Sequence, residues 1–570
     1  MIHVSGHLWI KCMREIGFSS KEKALRDDVR ILGALVGEIL AEQRGMEFFE
    51  LVEAVRRTAI RRRENDENAS AELDNLLVGM DVGEARHLVH AFTTYFQVVN
   101  LAEKVHRIRR RRGYLRKGIK AQPGGLLDVM SELADNRLED VADALNALTI
   151  EPVMTAHPTE PTRRTLLEKE QFILRRLVER LDSSRTPEEE TATLERVRAA
   201  VTSNWQTEMY PEQQLSVRNE MENVLFYLTD VIYRIVPPFY ERLRQALESY
   251  WPDARGLDIP AFLHFGSWVG GDMDGNPNVN AGTIRRSLEY QRREIITKYL
   301  PEMHALSRFL SQSLSEIGVS REVLQQLDAY IEMLPDEAEK IGKRVRNMPY
   351  RCLLKLMMAR LSGALEGAPG AYHDASEFRS DLQLIRQSLE DNKGRNAGIF
   401  QLKRLQARAM TFGFHLATLD IRQDSLVHRQ VVAPILGEEG WMDLDAGTRA
   451  DRLGALLDAD RLPDLPEDEV VAKTIEVFRS IKWGQQQFGP RALGPYIISM
   501  TQGADDILSV LFLAKAAGLT DASGCVTLDI APLLETVGDL KHGEVILKRL
   551  FSDPVYKAHL ASRGQRQVIM

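Results

Sequence analysis

Apolar residues recur every three to four positions along most of this chain, the period of helices that bury one face. From Lys21 the positions Ile31, Leu32, Leu35, Val36, Ile39 and Leu40 form one such face, and Phe48, Phe49, Leu51 and Val52 continue it in the next helix. Asn223 to Val236 repeats the pattern with Val224, Leu225, Leu228, Val231, Ile232 and Ile235, and Pro237-Pro238 is expected to end it. Ser184 to Thr193 reads as an exposed turn in which Pro187 and three glutamates suit a helix start. Long helices are expected from Ile284 to about Leu365, followed by a Gly/Pro loop over Glu366 to Ala375. Short apolar runs of strand length interrupt this background: Glu151 to Ala156, a run opening at Phe262, Thr411 to Ile421, Pro495 to Met500 and Val526 to Leu534. A sixth begins at Val568.

Each run ends in polar or glycine-rich residues, and there the candidate chemistry lies. Glu151 to Ala156 reads as a buried strand stopped at Pro158, so His157 stands at its carboxyl end and Thr162 caps the helix that follows. Arg163 and Arg164 then occupy a first helical turn, where backbone N–H groups and the helix dipole favour an anion. The ordinary alternative is a loop histidine with two solvated arginines. In FGSWVGGDMDGNP, Gly270 and Gly271 let a backbone approach a ligand, and Trp268 is grouped with them as anion-binding. Asp272 and Asp274, with Asn276 in the same supporting loop, suit orienting an arginine, binding a cation or capping a turn. An EF-hand is excluded by spacing. The alternation Phe412, Phe414, Leu416, Leu419, Ile421 predicts a strand that delivers Asp420, Arg422 and Gln423. Arg422 suits a bidentate grip on phosphate or carboxylate, or else an ion pair with Asp420 or Asp424. Glu535 ends its run as a buried-edge carboxylate, for a divalent metal or an arginine.

Strand ends at His157, Gly270, Arg422, Thr501 and Glu535, separated by helices, predict a predominantly α-helical α/β fold. The layout is that of a (β/α)8-type barrel with many helical insertions, cut after about five strands and the start of a sixth. The expected domains are a loose extension over residues 1–20, a helical region over 21–150 and the incomplete barrel over 151–570.

Composition narrows the classes. Lys+Arg 74 against Asp+Glu 82 leaves a net charge of -8, which gives the whole chain no bias toward nucleic acid or acidic membranes. The arginine runs at 61–63 and in HRIRRRRGYLRK are read as solvated or interface faces, with Glu64, Asp66 and Glu67 offsetting the first. The three cysteines, Cys12, Cys352 and Cys525, lack metal spacing and fit a reducing cytoplasm. No apolar run is long enough to span a bilayer, and the start lacks a signal-peptide core. The residues alone therefore describe an anion-handling cytoplasmic enzyme with a possible divalent metal.

The blocks TAHPTEPTRRTL, FGSWVGGDMDGNP, TFGFHLATLDIRQ, YIISM and APLLET, in that order, resemble the phosphoenolpyruvate carboxylase family. The resemblance runs from about Lys21 to Met570. It implies Mg²⁺- or Mn²⁺-dependent carboxylation of phosphoenolpyruvate by bicarbonate to oxaloacetate and phosphate. By resemblance His157 is the catalytic histidine, Arg422 a substrate-binding arginine and Glu535 one of two carboxylate ligands of the metal. Arg163 and Arg164 match positions tied to a sugar-phosphate activator, although Met273 replaces an arginine common in that loop. Family members continue with GYSDSGKDAG-type and FHGRGG-type blocks. Neither is in this sequence, so the second metal carboxylate is absent and an N-terminal part of the family's chain, weakly active or inactive alone, is expected. The full-length family is homotetrameric and allosteric. A non-catalytic binding or assembly module is the alternative expectation.

Overall fold

The computed structural model describes residues 22–116, 123–155, 163–208, 216–459 and 461–570. The expected extension over residues 1–20, and His157 with Thr162, lie outside them. Two compact units are present, one formed by Met1–Pro123 with Glu160–Gln214, the other by Gly124–Thr159 with Leu215–Met570.

The first unit is helical among its described residues. Its helices Lys23–Arg44, Met46–Arg63 and Val82–Arg116 bury Leu32, Val36, Ile39, Val52 and Leu101, joined by Ile173 and Leu177 of Arg164–Glu179 and Val197 and Val201 of Pro187–Trp205. The last helix starts as Pro187 suggests: Thr186 and Glu189 form a reciprocal capping box. Arg61 pairs with Asp66 at 2.8 Å and Glu72 at 2.7 Å, and Arg109 with Asp28 at 2.5 Å, so both arginine runs are partly neutralised by their own fold.

The second unit carries one parallel sheet: β1 (Val153–Met154), β2 (Gly266–Ser267), β3 (Thr418–Asp424), β4 (Leu493–Ser499) and β5 (Ile530–Pro532), in the spatial order of the sequence. Parallel neighbours in sequence order require a crossover each time, and helices supply them; this is the arc of a (β/α) barrel. Beyond β5, Met570 N–H donates to Pro532 O and Leu534 N–H to Met570 O, both at 3.0 Å, the start of a further parallel ladder. Leu419, Ile421, Tyr496, Ile498 and Ile530 turn toward the surrounding helices, where they meet Val431, Phe478, Ile507 and Phe512.

Three local expectations are corrected. The run at Glu151 is not buried: Val153 is 38% exposed because β1 is an edge strand. Pro237 and Pro238 do not end their helix. A π-helical segment, Tyr227–Ile232, joins Val217–Phe226 to Tyr233–Tyr250, and both prolines sit inside the latter. The wide turn shifts the helical phase, so Tyr233 and Val236 face inward and Ile235 is 55% exposed. The alternation from Phe412 is not all strand either. Helix Ile399–Phe412 runs to the first of these residues, Gly413 breaks it at φ +50°, and β3 starts only at Thr418.

Among the described residues no helix is long and apolar enough to cross a membrane.

Candidate active site

β2 is two residues long, yet its chain continues beside β3. Met273 N–H donates to Arg422 O at 2.8 Å and Arg422 N–H to Gly271 O at 3.0 Å, which fixes the loop 270–274 against the carboxyl end of β3. This approach requires glycine. A Cβ on Gly271 would lie 2.1 Å from Asp420 O, and one on Gly270, at φ +88°, 2.0 Å from Ser287 Oγ. Gly271 thus brings its backbone against the protein's own β3, and Gly270 makes room for Ser287 of helix Ala281–Phe309.

That docking delivers Asp272 and Asp274 to Arg422. Arg422 Nη1 lies 3.2 Å from Asp272 Oδ2, and Nη2 lies 2.8 Å from Asp274 Oδ2 and 3.1 Å from Glu535 Oε1. The guanidinium stands over the Trp268 ring, 5.2 Å from its centroid, and its Nε is buried without a partner among the described residues. The partners expected from sequence, Asp420 and Asp424, are used elsewhere: Asp424 accepts from Leu426 N–H at 2.7 Å as a helix cap, and Asp420 accepts from Trp268 Nε1 at 3.1 Å. Glu535 is not buried; it is a rim carboxylate whose Oε2 also accepts from Met500 N–H at 3.4 Å. Asn276 closes the loop by accepting from Asn278 N–H at 3.1 Å.

Three carboxylates around one guanidinium leave a formal charge of one minus three, or -2, when all are ionised. Burial pushes the Asp272 carboxyl up, against the lowering field and hydrogen bond of Arg422. Among the described residues no group of three His, Cys, Asp or Glu side chains converges to hold a metal. The donor set nevertheless suits a hard divalent cation. Glu535 offers carboxylate oxygen at an accessible rim, the local charge is negative, and Mg²⁺ takes one or two protein carboxylates and completes its shell with water and substrate oxygens.

Asp420 joins this site through Trp268, and not through the ion pair with Arg422 that the sequence offered. Burial first, and then the field of Glu151, push its carboxyl up to about 7, against the lowering hydrogen bond from Trp268. The sheet makes room for it. Leu419 pairs with Leu493 and Ile421 with Tyr496, so β4 has an extra residue there, and a Cβ on Gly494 would sit 1.9 Å from Asp420 Oδ1. The two-residue period of β3 was the available signal, since it sets Asp420 on the face of Arg422.

Arg163 and Arg164 lie in the first unit. Arg163 precedes helix Arg164–Glu179 and pairs with Glu208 at 2.9 Å, while Arg164 pairs with Glu168 at 2.9 Å.

Strand ends that gather an arginine, three carboxylates and a tryptophan at one end of a parallel sheet are the layout of a barrel-type protein, in which side chains from distant strands meet at one mouth. Residues 25–570 match the phosphoenolpyruvate carboxylase family, and the chain belongs to it. A phosphoenolpyruvate carboxylase of Xanthomonas oryzae pv. oryzae is 48% identical over 556 residues, covering 97% of this chain and 61% of that protein. Those of Ralstonia nicotianae and Azoarcus sp. are 37% and 34% identical, covering 58% and 62% of their lengths. The chain thus spans about three fifths of the length of these relatives.

Proposed function

We propose that the Arg422 cluster is the phosphate end of a site that carboxylates phosphoenolpyruvate with bicarbonate, giving oxaloacetate and phosphate. The observation that supports this most is the 3.1 Å approach of Arg422 to Glu535, residues 113 positions apart. The reaction needs a cation on the phosphate and a metal-binding carboxylate within one site. Bicarbonate oxygen attacks phosphorus as the bond to the enol oxygen breaks, and charge builds on the phosphoryl oxygens. Arg422 would neutralise it there. Asp272 holds Nη1 and the Trp268 face restrains the guanidinium plane, so Nη2 would meet the substrate when Asp274 and Glu535 release it. Asp420 holds the Trp268 ring through Nε1 and is a positioning residue. Glu535 would hold Mg²⁺ or Mn²⁺, which when bound supplies positive charge to the enolate oxygen. His157 carries the proton of the carboxyphosphate intermediate in this reading. Arg163 and Arg164 are proposed as a further anion site. No more than one metal carboxylate and one phosphate arginine of the family's set occur in these 570 residues, so low activity is expected from them alone.

The second reading, a binding or assembly module, has its own support. Large apolar side chains are exposed beside both sheet edges, including Val153 (38%), Val537 (70%), Leu540 (64%), Ile569 (46%) and Met570 (40%). A reducing cytoplasmic setting, and the family's assembly into larger oligomers, are part of the same proposal; Cys352 and Cys525 are free thiols.

The test is oxaloacetate formation from phosphoenolpyruvate, bicarbonate and Mg²⁺ by the 570-residue chain, alone and with a polypeptide supplying GYSDSGKDAG-type and FHGRGG-type blocks. Activity that appears on mixing and is lost in His157→Asn and Arg422→Gln supports the enzyme reading. Binding of that polypeptide with no turnover supports the module.

A further inference from the structure

A second cationic centre lies in the second unit and plays no part in the proposed reaction. Helix Ala281–Phe309 carries Arg292 between two phenyl rings, its guanidinium carbon 5.9 Å from the Phe414 centroid and 5.3 Å from that of Phe488. Its one hydrogen bond among the described residues runs from Nη1 to Gln487 O at 2.8 Å, in the last turn of helix Glu469–Phe488. Nε is buried and has no partner among the described residues. A guanidinium has five N–H donors, so most of this one's capacity is unspent. No carboxylate oxygen of a described residue lies within 4.0 Å of Arg292 or of its neighbour Arg293. A helix-end carbonyl offsets only part of a full charge. Burial pulls the Arg292 guanidinium down from its ordinary range, the sign of a cation that lacks its counterion.

A half-buried guanidinium with no carboxylate beside it is short of a counterion, because partial desolvation of an unpaired cation is unfavourable. The Arg422 and Arg429 guanidiniums of the same unit all have carboxylates. Arg292 instead borders a cavity of about 660 Å³, within the size range of small-molecule sites. Arg293, His373, Trp483 and Phe488 also line it; Glu289, the one acid on its wall, is exposed. Trp483 packs edge-on against Phe488, centroids 5.3 Å apart, and makes an apolar wall beside the two arginines.

We propose that this cavity is a binding site for a small phosphate monoester, with Arg292 and Arg293 on the phosphate and Trp483 and Phe488 against the organic group. Two guanidiniums match a dianion, and a planar fork matches phosphate oxygens. The aromatic wall distinguishes a monoester from free phosphate. The site uses none of the residues of the Arg422 cluster, nor Arg163 or Arg164, and its standing does not depend on the proposed reaction.

Phenyl phosphate and inorganic phosphate are the probes, titrated into the whole chain by calorimetry with a thermal melt of each variant. Phenyl phosphate is expected to bind more tightly than inorganic phosphate. Arg292→Met should weaken it at least about tenfold, the effect of losing one charge-assisted hydrogen bond. It should also leave the melting temperature unchanged or raised, because an apolar side chain between two phenyl rings has no charge to desolvate. Arg293→Gln, at an exposed position, should weaken binding without affecting folding, and it decides the matter should Arg292→Met fold poorly. Arg163→Gln and Arg422→Gln should leave phenyl phosphate affinity within about twofold. The proposal is overturned if the unaltered chain binds neither probe, if Arg293→Gln and Arg292→Met bind as it does, or if Arg163→Gln or Arg422→Gln abolishes binding. A melting temperature that falls sharply in a folded Arg292→Met would make Arg292 a structural cap.

Discussion

Two arginine–carboxylate clusters flank β3 and β4, and they are built to opposite charge balance. In the first, Arg429 forks onto Asp506, with Nε 2.7 Å from Oδ1 and Nη2 2.9 Å from Oδ2, and Arg449 Nε meets Asp505 Oδ2 at 2.7 Å. Two cations face two anions, and both aspartates are fully buried. Asp506 also accepts the N–H groups of Gln502 and Gly503, so the cluster fastens the turn after β4 to the helices carrying Arg429 and Arg449. In the second, Arg422 alone faces three carboxylates, one of them the rim residue Glu535. The same side chains serve two purposes. A balanced, buried set has no reason to rearrange, whereas an unbalanced set at an accessible rim carries excess negative charge, which is what the proposed function draws on.

The sharpest way to break this comparison is to remove one anion from the balanced set. Asp506→Ala leaves Arg429 buried without its fork and should cost about 3–5 kcal/mol, read from denaturant melts. A loss no larger than that of a surface pair would show that the cluster does not hold the fold.

The next effect is a pH dependence at the second cluster. The Asp420 carboxyl is pushed up to about 7 in the folded chain, above its unfolded value of about 3.9. The folded state therefore holds a proton that the unfolded state has released, and the stability this contributes is full below about pH 4 and is lost as pH rises through about 7. The decline should amount to roughly 2–4 kcal/mol across that window. Asp420→Asn, which keeps an acceptor for Trp268 Nε1, should flatten it; an unchanged slope would place the titration elsewhere.

Gly494→Ala probes the same carboxyl by shape. Its Cβ would meet Asp420 Oδ1 at 1.9 Å, and such overpacking costs about 1–3 kcal/mol. Asp420→Ala in the same chain should recover part of that loss, and a double-mutant cycle without coupling would contradict the contact.

The smallest stability effect belongs to the residue given the largest chemical role. Arg422→Met should cost about 1–2 kcal/mol at neutral pH, because Asp274 and Glu535 lie at the rim and only Asp272 is left buried without its cation, while on the proposed function phosphoenolpyruvate binding is lost. Equal damage from Arg422→Met and Asp506→Ala would erase the distinction between the clusters.

Several of these features were legible in the residues. β3 is an example: Leu419 and Ile421 face the helices, so period two sets Arg422 on the opposite face whatever the rest of the chain does. The glycine pair marked a close approach, and Pro187 with the glutamates after it marked a helix start, because local backbone chemistry decides both. The errors arose where local pattern was ambiguous. Phe412 and Phe414 fit either period, and a π turn moved Ile235 out of the face that a uniform helix would give it.

Sequence by itself thus determined the order of helices and strands, the family, and the residue types available at each strand end, because period, capping and turn chemistry act over a few neighbouring positions. Tertiary structure alone decided which charges meet. Arg422 found Asp272, Asp274 and Glu535 and not its neighbours in sequence, and Arg292 found two phenyl rings and, among the described residues, no carboxylate. Coulomb and desolvation energies depend on distance and burial in space, and those are set by how strands dock across more than a hundred residues.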